Sequence, residues 1–223
     1  MKKVLIVTNE DDPHADEVIN KLGEKVFRLN TEKILEDFSI HAYLNSNSEH
    51  DIYLKSFGRT IALSEVSSVY YRRPIKPESE LFKYEESQKD EAWGALYHFL
   101  YGLENVPWMG HPLEDKRKSS RILQLRNAVK VGFNIPPTFI SRDSVLIKDF
   151  VLSNNKVAVK PIHVRGVQHD KKWTPYFTEV INARDFSDIS NDIIGSTYNY
   201  IQEYIDKKRE WRVTIVGNEI FPC

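Results

Sequence analysis

The sequence predicts an α/β fold in two domains, and three observations carry that expectation. Near the start, the continuous apolar run Val4-Leu5-Ile6-Val7 is followed by Asp12-Pro13 and an amphipathic stretch, the order of a buried strand leading into a capped helix. Strand-like and helix-like segments then keep alternating along the chain. Around Pro107-Trp108-Met109-Gly110-His111-Pro112 the composition shifts to a rigid run of turn formers. That shift places a boundary between an N-terminal α/β domain, residues 1–114, and a second, α+β domain, residues 115–223. The 223 residues amount to about one and a half domains of ~150 residues.

In the first domain, Asp12 is placed to cap a helix whose first residue is Pro13. Ala15, Val18, Ile19 and Leu22 form its apolar face and Gly23 its stop. Val26 to Leu29 reads as a second strand, and Phe38 to Leu44, Asp51 to Phe57 and Arg59 to Leu63 as shorter ones separated by turn residues. Val66 to Arg73 is a further strand, stopped by Pro74. The spacing of Ala92, Trp93, Leu96, Tyr97, Leu100 and Leu103 predicts a long helix over roughly 80–104, with its aromatic residues serving as core.

The second domain opens with a helix from Asp115 to Val131, stopped by Gly132, with Ile122, Leu125, Ala128 and Val129 facing inward. Strands are expected at Thr138 to Ile140, Lys156 to Pro161, Tyr176 to Ile181, Tyr198 to Ile205 and Trp211 to Val216. Helices are expected at Asp143 to Leu152 and around Ala183 to Ile189. After Gly217-Asn218 only five residues remain, enough to begin a returning strand but hardly to pair it.

Composition excludes several classes. Thirty-one Lys and Arg against thirty-two Asp and Glu leave a net charge of −1, whereas general nucleic-acid binders carry a basic excess. The apolar runs are too short to span a bilayer, and acidic residues follow the first one too soon for a signal peptide. A single cysteine, Cys223, rules out a disulfide framework. A soluble cytoplasmic protein is expected, with neither nucleic acid nor membrane as partner.

The sequence contains no G-x-S-x-G, G-x-G-x-x-G or Walker A motif. His163 and His169 flank one loop, which reads better as solvated than as a metal site. More informative is Val157-Ala158-Val159-Lys160-Pro161, an apolar strand that delivers a lysine to its end. A fixed cation there suits a nucleotide phosphate, although a strand-terminal lysine is usually just solvated. About forty residues on, Gln202-Glu203-Tyr204-Ile205 ends a second strand. Its backbone groups at Glu203 and Ile205 can meet an adenine edge, with Gln202 adding a side-chain contact. Beyond it, Glu210 can take ribose hydroxyls, and Arg212 can face a phosphate or a reacting acyl group.

Taken together, Val-Ala-Val-Lys160-Pro, Gln202-Glu203-Tyr204-Ile205 and Glu210-Trp-Arg212-Val-Thr-Ile-Val-Gly resemble the nucleotide cleft of ATP-grasp ligases. Val69-Tyr70-Tyr71-Arg72-Arg73-Pro74 is similar to the Arg-Arg-Pro motif of the microviridin or graspetide-type peptide maturases within that superfamily. Trp108 to Pro112, Ile122 to Ala128 and Gly132 to Thr138 also resemble segments of those enzymes. The resemblance runs the length of the chain. It implies a pre-ATP-grasp α/β domain followed by an incomplete α+β ATP-grasp domain.

The same resemblance implies that Lys160 binds phosphate, Gln202, Glu203, Tyr204 and Ile205 hold adenine, and Glu210 holds ribose. Arg212 becomes the catalytic residue, and Arg72 and Arg73 contact the substrate. Three departures accompany it. Arg121 stands where the family has lysine, keeping the charge on a flatter donor. The loop after Lys160 has a single glycine, Gly166, which argues against a glycine-rich phosphate cradle. The family's acidic and asparagine magnesium ligands have no counterpart after Arg212.

The leading expectation is therefore an ATP- and Mg2+-dependent ligase that joins carboxylates of a precursor peptide to amines or hydroxyls through an acyl phosphate. The 223-residue chain is expected to bind nucleotide weakly without turnover. A peptide-binding module with a vestigial nucleotide site and a small-molecule ligase of the same superfamily are the alternatives. Homodimerisation stays open.

Overall fold

The computed structural model describes residues 2–47, 50–77, 85–162, 166–169 and 172–223. The chain divides into two compact units, Met1–Ser119 and Ser120–Cys223.

In the first unit, β1 (Lys3–Thr8) leads into α1 (Pro13–Leu22). The Asp12 carboxylate accepts the backbone N–H groups of His14 and Ala15, and Gly23 closes the helix at φ 59°, a conformation that costs glycine little. β2 (Val26–Asn30) follows. An antiparallel sheet comes next, β3 (Phe38–Leu44), β4 (His50–Ser56) and β5 (Arg59–Ala62), in the order β3-β4-β5. The strand expected to run through Phe57 stops one residue earlier. Phe57 and Gly58, at φ 46° and 74°, make the two-residue turn whose twist suits a hairpin. β6 (Val66–Tyr71), α2 (Glu86–Tyr101) and β7 (Trp108–Met109) complete the parallel sheet β2-β1-β6-β7, and α3 (Pro112–Lys118) ends the unit.

Alternation along β1 sends its side chains to opposite faces. Leu5 and Val7 pack with Phe27, Leu29, Leu96, Phe99 and Leu100 on one face, and Ile6 packs with Ala15 and Val26 on the other. Helices thus cover both faces, as a parallel sheet requires. The Pro107–Pro112 segment is more than a turn, since Trp108 and Met109 pair with Val69 and Tyr70. The start of the long helix expected from residue 80 falls outside the described residues. The helix that is described buries Leu96, Phe99 and Leu100, while Tyr101 stays exposed.

In the second unit come α4 (Arg121–Lys130), β8 (Thr138–Ser141), α5 (Ser144–Leu152), β9 (Lys156–Lys160), β10 (Gly166–His169) and β11 (Lys172–Pro175). They are followed by β12 (Glu179–Asn182), α6 (Ala183–Ser187), α7 (Asn191–Gly195), β13 (Asn199–Glu203), β14 (Val213–Val216) and β15 (Glu219–Pro222). The antiparallel sheet β12-β9-β13-β8 buries Val157 and Ile201 against Ile147, Val151, Phe186 and Ile194.

The structure departs from several of the expectations read from the sequence. The single helix over 115–131 is two, α3 and α4. Ser119 Oγ bonds back to the Lys116 C=O, and Ser120 Oγ accepts the Leu123 N–H, so a new N-cap interrupts the old helix. Ile122 and Val129, expected inside, are 58% and 53% exposed. Gly166 to His169, read as loop, pairs with Lys172 to Pro175. The last five residues do pair: β14 and β15 form four cross-strand pairs about Gly217-Asn218. Arg212 and Cys223 close the ribbon with reciprocal backbone hydrogen bonds of 2.8 and 2.9 Å.

Candidate functional site

The four-stranded sheet β12-β9-β13-β8 turns one face into the core, and its opposite face sets a polar cluster among the apolar Ile140, Ala158 and Val180. Val157, Val159 and Ile201 point into the core, so the alternate positions Lys160, Tyr200, Gln202 and Thr138 share the opposite face, with Lys160 opposite Tyr200 and Thr138 opposite Gln202.

A chain of hydrogen bonds fixes that face. Thr138 Oγ1 donates to the Pro136 C=O at 2.8 Å, so the same oxygen serves as acceptor for Gln202 Nε2 at 2.9 Å. The Gln202 amide also donates to Tyr200 OH at 3.2 Å. With its nitrogen held there, its Oε1 turns to Lys160 and accepts from Nζ at 2.6 Å. The lysine partner is therefore a neutral amide rather than a carboxylate.

Electrostatics around Lys160 are unfavourable to its own charge. Burial first, then the nearby Arg121 and Lys207 charges, hold its pKa below the ordinary 10.5. Arg121 also partly offsets the rise that burial imposes on Tyr200. A cavity of about 410 Å³ is lined by Arg121, Gln124, Lys160, Tyr176, Phe177 and Tyr200. Cations that raise each other's energy around a cavity are stabilised by an anion placed among them. These residues fit a phosphate.

The end of β13 is shaped by Pro137. Glu203 N–H donates to the Pro137 C=O at 2.9 Å. In a regular antiparallel ladder the facing residue would return a bond to the Glu203 C=O, but Pro137 has no N–H to give. On the other side Tyr204 N–H donates to the Lys156 C=O at 2.9 Å, and Lys156 Nζ lies 4.6 Å from the centre of the Tyr204 ring. The ladder therefore leaves a carbonyl at Glu203 without its facing donor, two residues before Ile205.

The remaining predicted residues are placed less tightly. Glu210 pairs with Lys207, which lowers the Glu210 pKa and raises that of Lys207. Arg212 opens the exposed β14–β15 ribbon, bonded through its backbone to Cys223. Gly166 lies in β10 rather than in a phosphate loop. A Cβ there would meet the Thr174 carbonyl oxygen at 2.5 Å, so the glycine serves the close approach of β11. His163 and the side chain of His169 lie outside the described residues. Among those described, no group of three or more His, Cys, Asp or Glu could hold a metal.

In the first unit, Arg72 and Arg73 leave β6 at the carboxyl end of the parallel sheet. Arg72 Nε is 3.2 Å from Asp12 Oδ1. Asp12 is fully buried and also accepts from Thr8 Oγ1 at 2.6 Å. Arg73 is exposed and stands at φ 49°. Sequence reasoning read Asp12 only as a helix cap and missed Thr138, Tyr200 and Asn9, whose Nδ2 donates to the Arg73 C=O at 2.7 Å, because these roles arise from strand register and long-range contact. The one signal available was the double proline before Thr138.

Residues 3–116 match the MvdD pre-ATP grasp domain. The chain is similar to the Chryseobacterium gregarium RiPP-associated ATP-grasp ligase, solved with ADP and a leader and core peptide. Identity is 25% and the TM-score 0.83, over 100% of this chain and 68% of that one. The macrocyclase MdnC of Microcystis aeruginosa MRC, bound with its precursor peptide MdnA, is 21% identical with a TM-score of 0.82, covering 99% of this chain and 74% of its own. MdnB from the same organism is 24% identical with a TM-score of 0.75, over 100% and 74%. The likeness to MdnC and MdnB is one of fold. No curated protein sequence matches the chain.

Proposed function

The chain belongs to the MvdD pre-ATP-grasp family through residues 3–116, and from that membership we propose that it is an ATP-grasp ligase acting on a ribosomally made precursor peptide. The observation that carries the proposal is the Lys160 ammonium, bonded to the neutral Gln202 amide and destabilised by burial first and then by Arg121 and Lys207. It supports a phosphate site built before any nucleotide arrives. The similarity to a ligase solved with ADP and peptide supports the same reading.

In this proposal residues 1–114 receive the peptide and residues 115–223 form the nucleotide half. Lys160 and Arg121 hold and neutralise phosphate oxygens, acting through position and charge. The Glu203 C=O and the backbone of Tyr204 and Ile205 meet the adenine edge, and the Gln202 amide fixes Lys160 beside it. Glu210 takes ribose, and Arg212 faces the transferring phosphoryl or the acyl group. The Arg72-Arg73 strand end serves an acidic peptide segment. When bound, ATP would supply its γ-phosphoryl group to a peptide carboxylate with ADP as leaving group, and attack of an amine or hydroxyl on that acyl phosphate would form the amide or ester, releasing inorganic phosphate and the nucleophile's proton. Mg2+ accompanies ATP, and none of the residues named above is assigned to the ion.

Competition between ADP and GDP tests the reading. The Glu203 carbonyl accepts from the exocyclic amine of adenine and repels the carbonyl that guanine presents there, so ADP should bind at least about tenfold more tightly, as one good hydrogen bond to a base edge allows. Equal affinities would contradict the assignment of the adenine edge.

A further inference from the structure

The two arginines of the Arg72-Arg73-Pro74 strand end are equivalent in sequence and unlike in structure. Arg72 is held on both sides: its N–H donates to the Val7 C=O at 2.8 Å and its Nε reaches the buried Asp12 carboxylate at 3.2 Å. Asp12 is at the same time the N-cap of α1 and the acceptor for Thr8. Arg72 therefore balances an internal charge.

Arg73 is the opposite case. Its side chain is exposed and makes no hydrogen bond or ion pair with any described residue. Its backbone stands at φ 49°, a left-handed conformation uncommon for a residue with a long side chain. The ring of Pro74 further disfavours helical backbone angles at the residue before it. Nothing local prefers this geometry, so the surroundings must impose it. They do so at three points. Asn9, 6% exposed, donates its Nδ2 to the Arg73 C=O at 2.7 Å. Arg72 fixes the residue before. Two residues on, Thr31 Oγ1 donates to the Ile75 C=O at 2.9 Å and accepts the Ile75 N–H at 2.8 Å.

All of these contacts come from the carboxyl ends of β1 and β2. In open parallel sheets, ligands bind at that end, where neighbouring strands connect to opposite faces. β1 lies between β2 and β6, with α1 packed on one face and α2 on the other. Over-determined backbone strain of this kind persists where surrounding groups enforce it and is typical of binding positions.

We infer that Arg73 alone is the carboxylate-binding arginine of this strand end, and that Asn9, Thr31 and the Asp12–Arg72 pair are positioning residues that hold it out in its left-handed conformation. The inference rests on the reading of an acidic peptide substrate given above and divides the labour within it.

An acetylated, amidated hexaglutamate peptide is the probe, titrated into the full chain at two salt concentrations, with melting temperatures measured in parallel. Arg73→Ala should weaken binding about tenfold and flatten its salt dependence, leaving the melting temperature unchanged or higher. Arg73→Lys should restore most of the affinity. Arg73→Gly should bind as poorly as Arg73→Ala yet melt a few degrees higher, because glycine adopts φ 49° without strain. Asn9→Ala should weaken binding with every charge in place, an effect that loss of a merely structural contact would not produce. Arg72→Ala should lower the melting temperature, since Asp12 is left buried without its cation.

Binding that survives Arg73→Ala overturns the inference and leaves the substrate reading standing. Absence of binding by the unmutated chain overturns both.

Discussion

Lys160 Nζ and Gln202 Oε1 lie 2.6 Å apart across the β9–β13 pair, and the amide accepts there because Thr138 and Tyr200 occupy its nitrogen. A carboxylate in place of the amide would neutralise the lysine in advance. The amide holds the ammonium in position without quenching its charge, which is what a phosphate-binding lysine needs.

Gln202→Glu should therefore weaken ADP binding about tenfold, since the new carboxylate repels phosphate and raises the lowered Lys160 pKa. Isothermal titration against ADP checks this. Unchanged affinity would mean that the Lys160 charge plays no part.

Thr138→Val keeps the shape of the side chain but removes the oxygen between the Pro136 carbonyl and the Gln202 amide. Leaving a buried amide donor short of a partner costs about 1–3 kcal/mol. Urea unfolding should register a loss of that size in the transition of the second unit, and Thr138→Ser should recover most of it.

Acid should act on the first unit through Asp12. Burial raises its pKa, but hydrogen bonds from Thr8, Arg72 and Ala15, with the Arg72 charge, outweigh that effect and hold it below 3.8. A carboxyl depressed in the folded state contributes stability above its unfolded pKa and loses it as pH falls through the folded value. Stability should thus decline below about pH 4, the unfolded carboxyl value. Asp12→Asn should remove that part of the decline at the expense of stability near neutrality. The opposite sense applies at Lys160: its lowered pKa should make ADP affinity fall at a less alkaline pH than an ordinary lysine would.

Gly166→Ala tests the β10–β11 hairpin. The added Cβ would sit 2.5 Å from the Thr174 oxygen and 2.9 Å from the Pro175 Cα, backbone atoms that cannot turn aside. Overpacking of this kind costs about 1–3 kcal/mol. Hydrogen exchange at Gly166 to His169 should quicken, with the sheet around Lys160 less affected.

Much of this was legible in the chain, and what was not has a common cause. Asp12-Pro13 and Gly23 announce α1 because capping is local chemistry. Phe38–Leu44 is recognisable as a strand because its flanking turn residues are local too. Lys160 and Gln202 stand out because strand ends are visible in sequence. Ser120 is a different matter: the apolar spacing of Ile122, Leu125 and Ala128 continues the earlier helical pattern, and only the competing N-cap reveals the break. Thr138 and Tyr200 acquire their roles from the register of three strands, and Arg72 finds Asp12 sixty residues away. The pairing of the last residues depended on Gly217 at φ 60° and on the Arg212–Cys223 closure, neither of which spacing discloses.

Whether the Lys160 site binds nucleotide phosphate is tested most directly by calorimetric titration of ADP into the unmutated chain and into Lys160→Ala. Measurable, weak ADP binding is predicted for the first, and at least about a tenfold loss for the second, in line with removal of a charge-assisted contact worth ~1.5–3 kcal/mol. ADP binding of equal strength in both proteins would contradict the account.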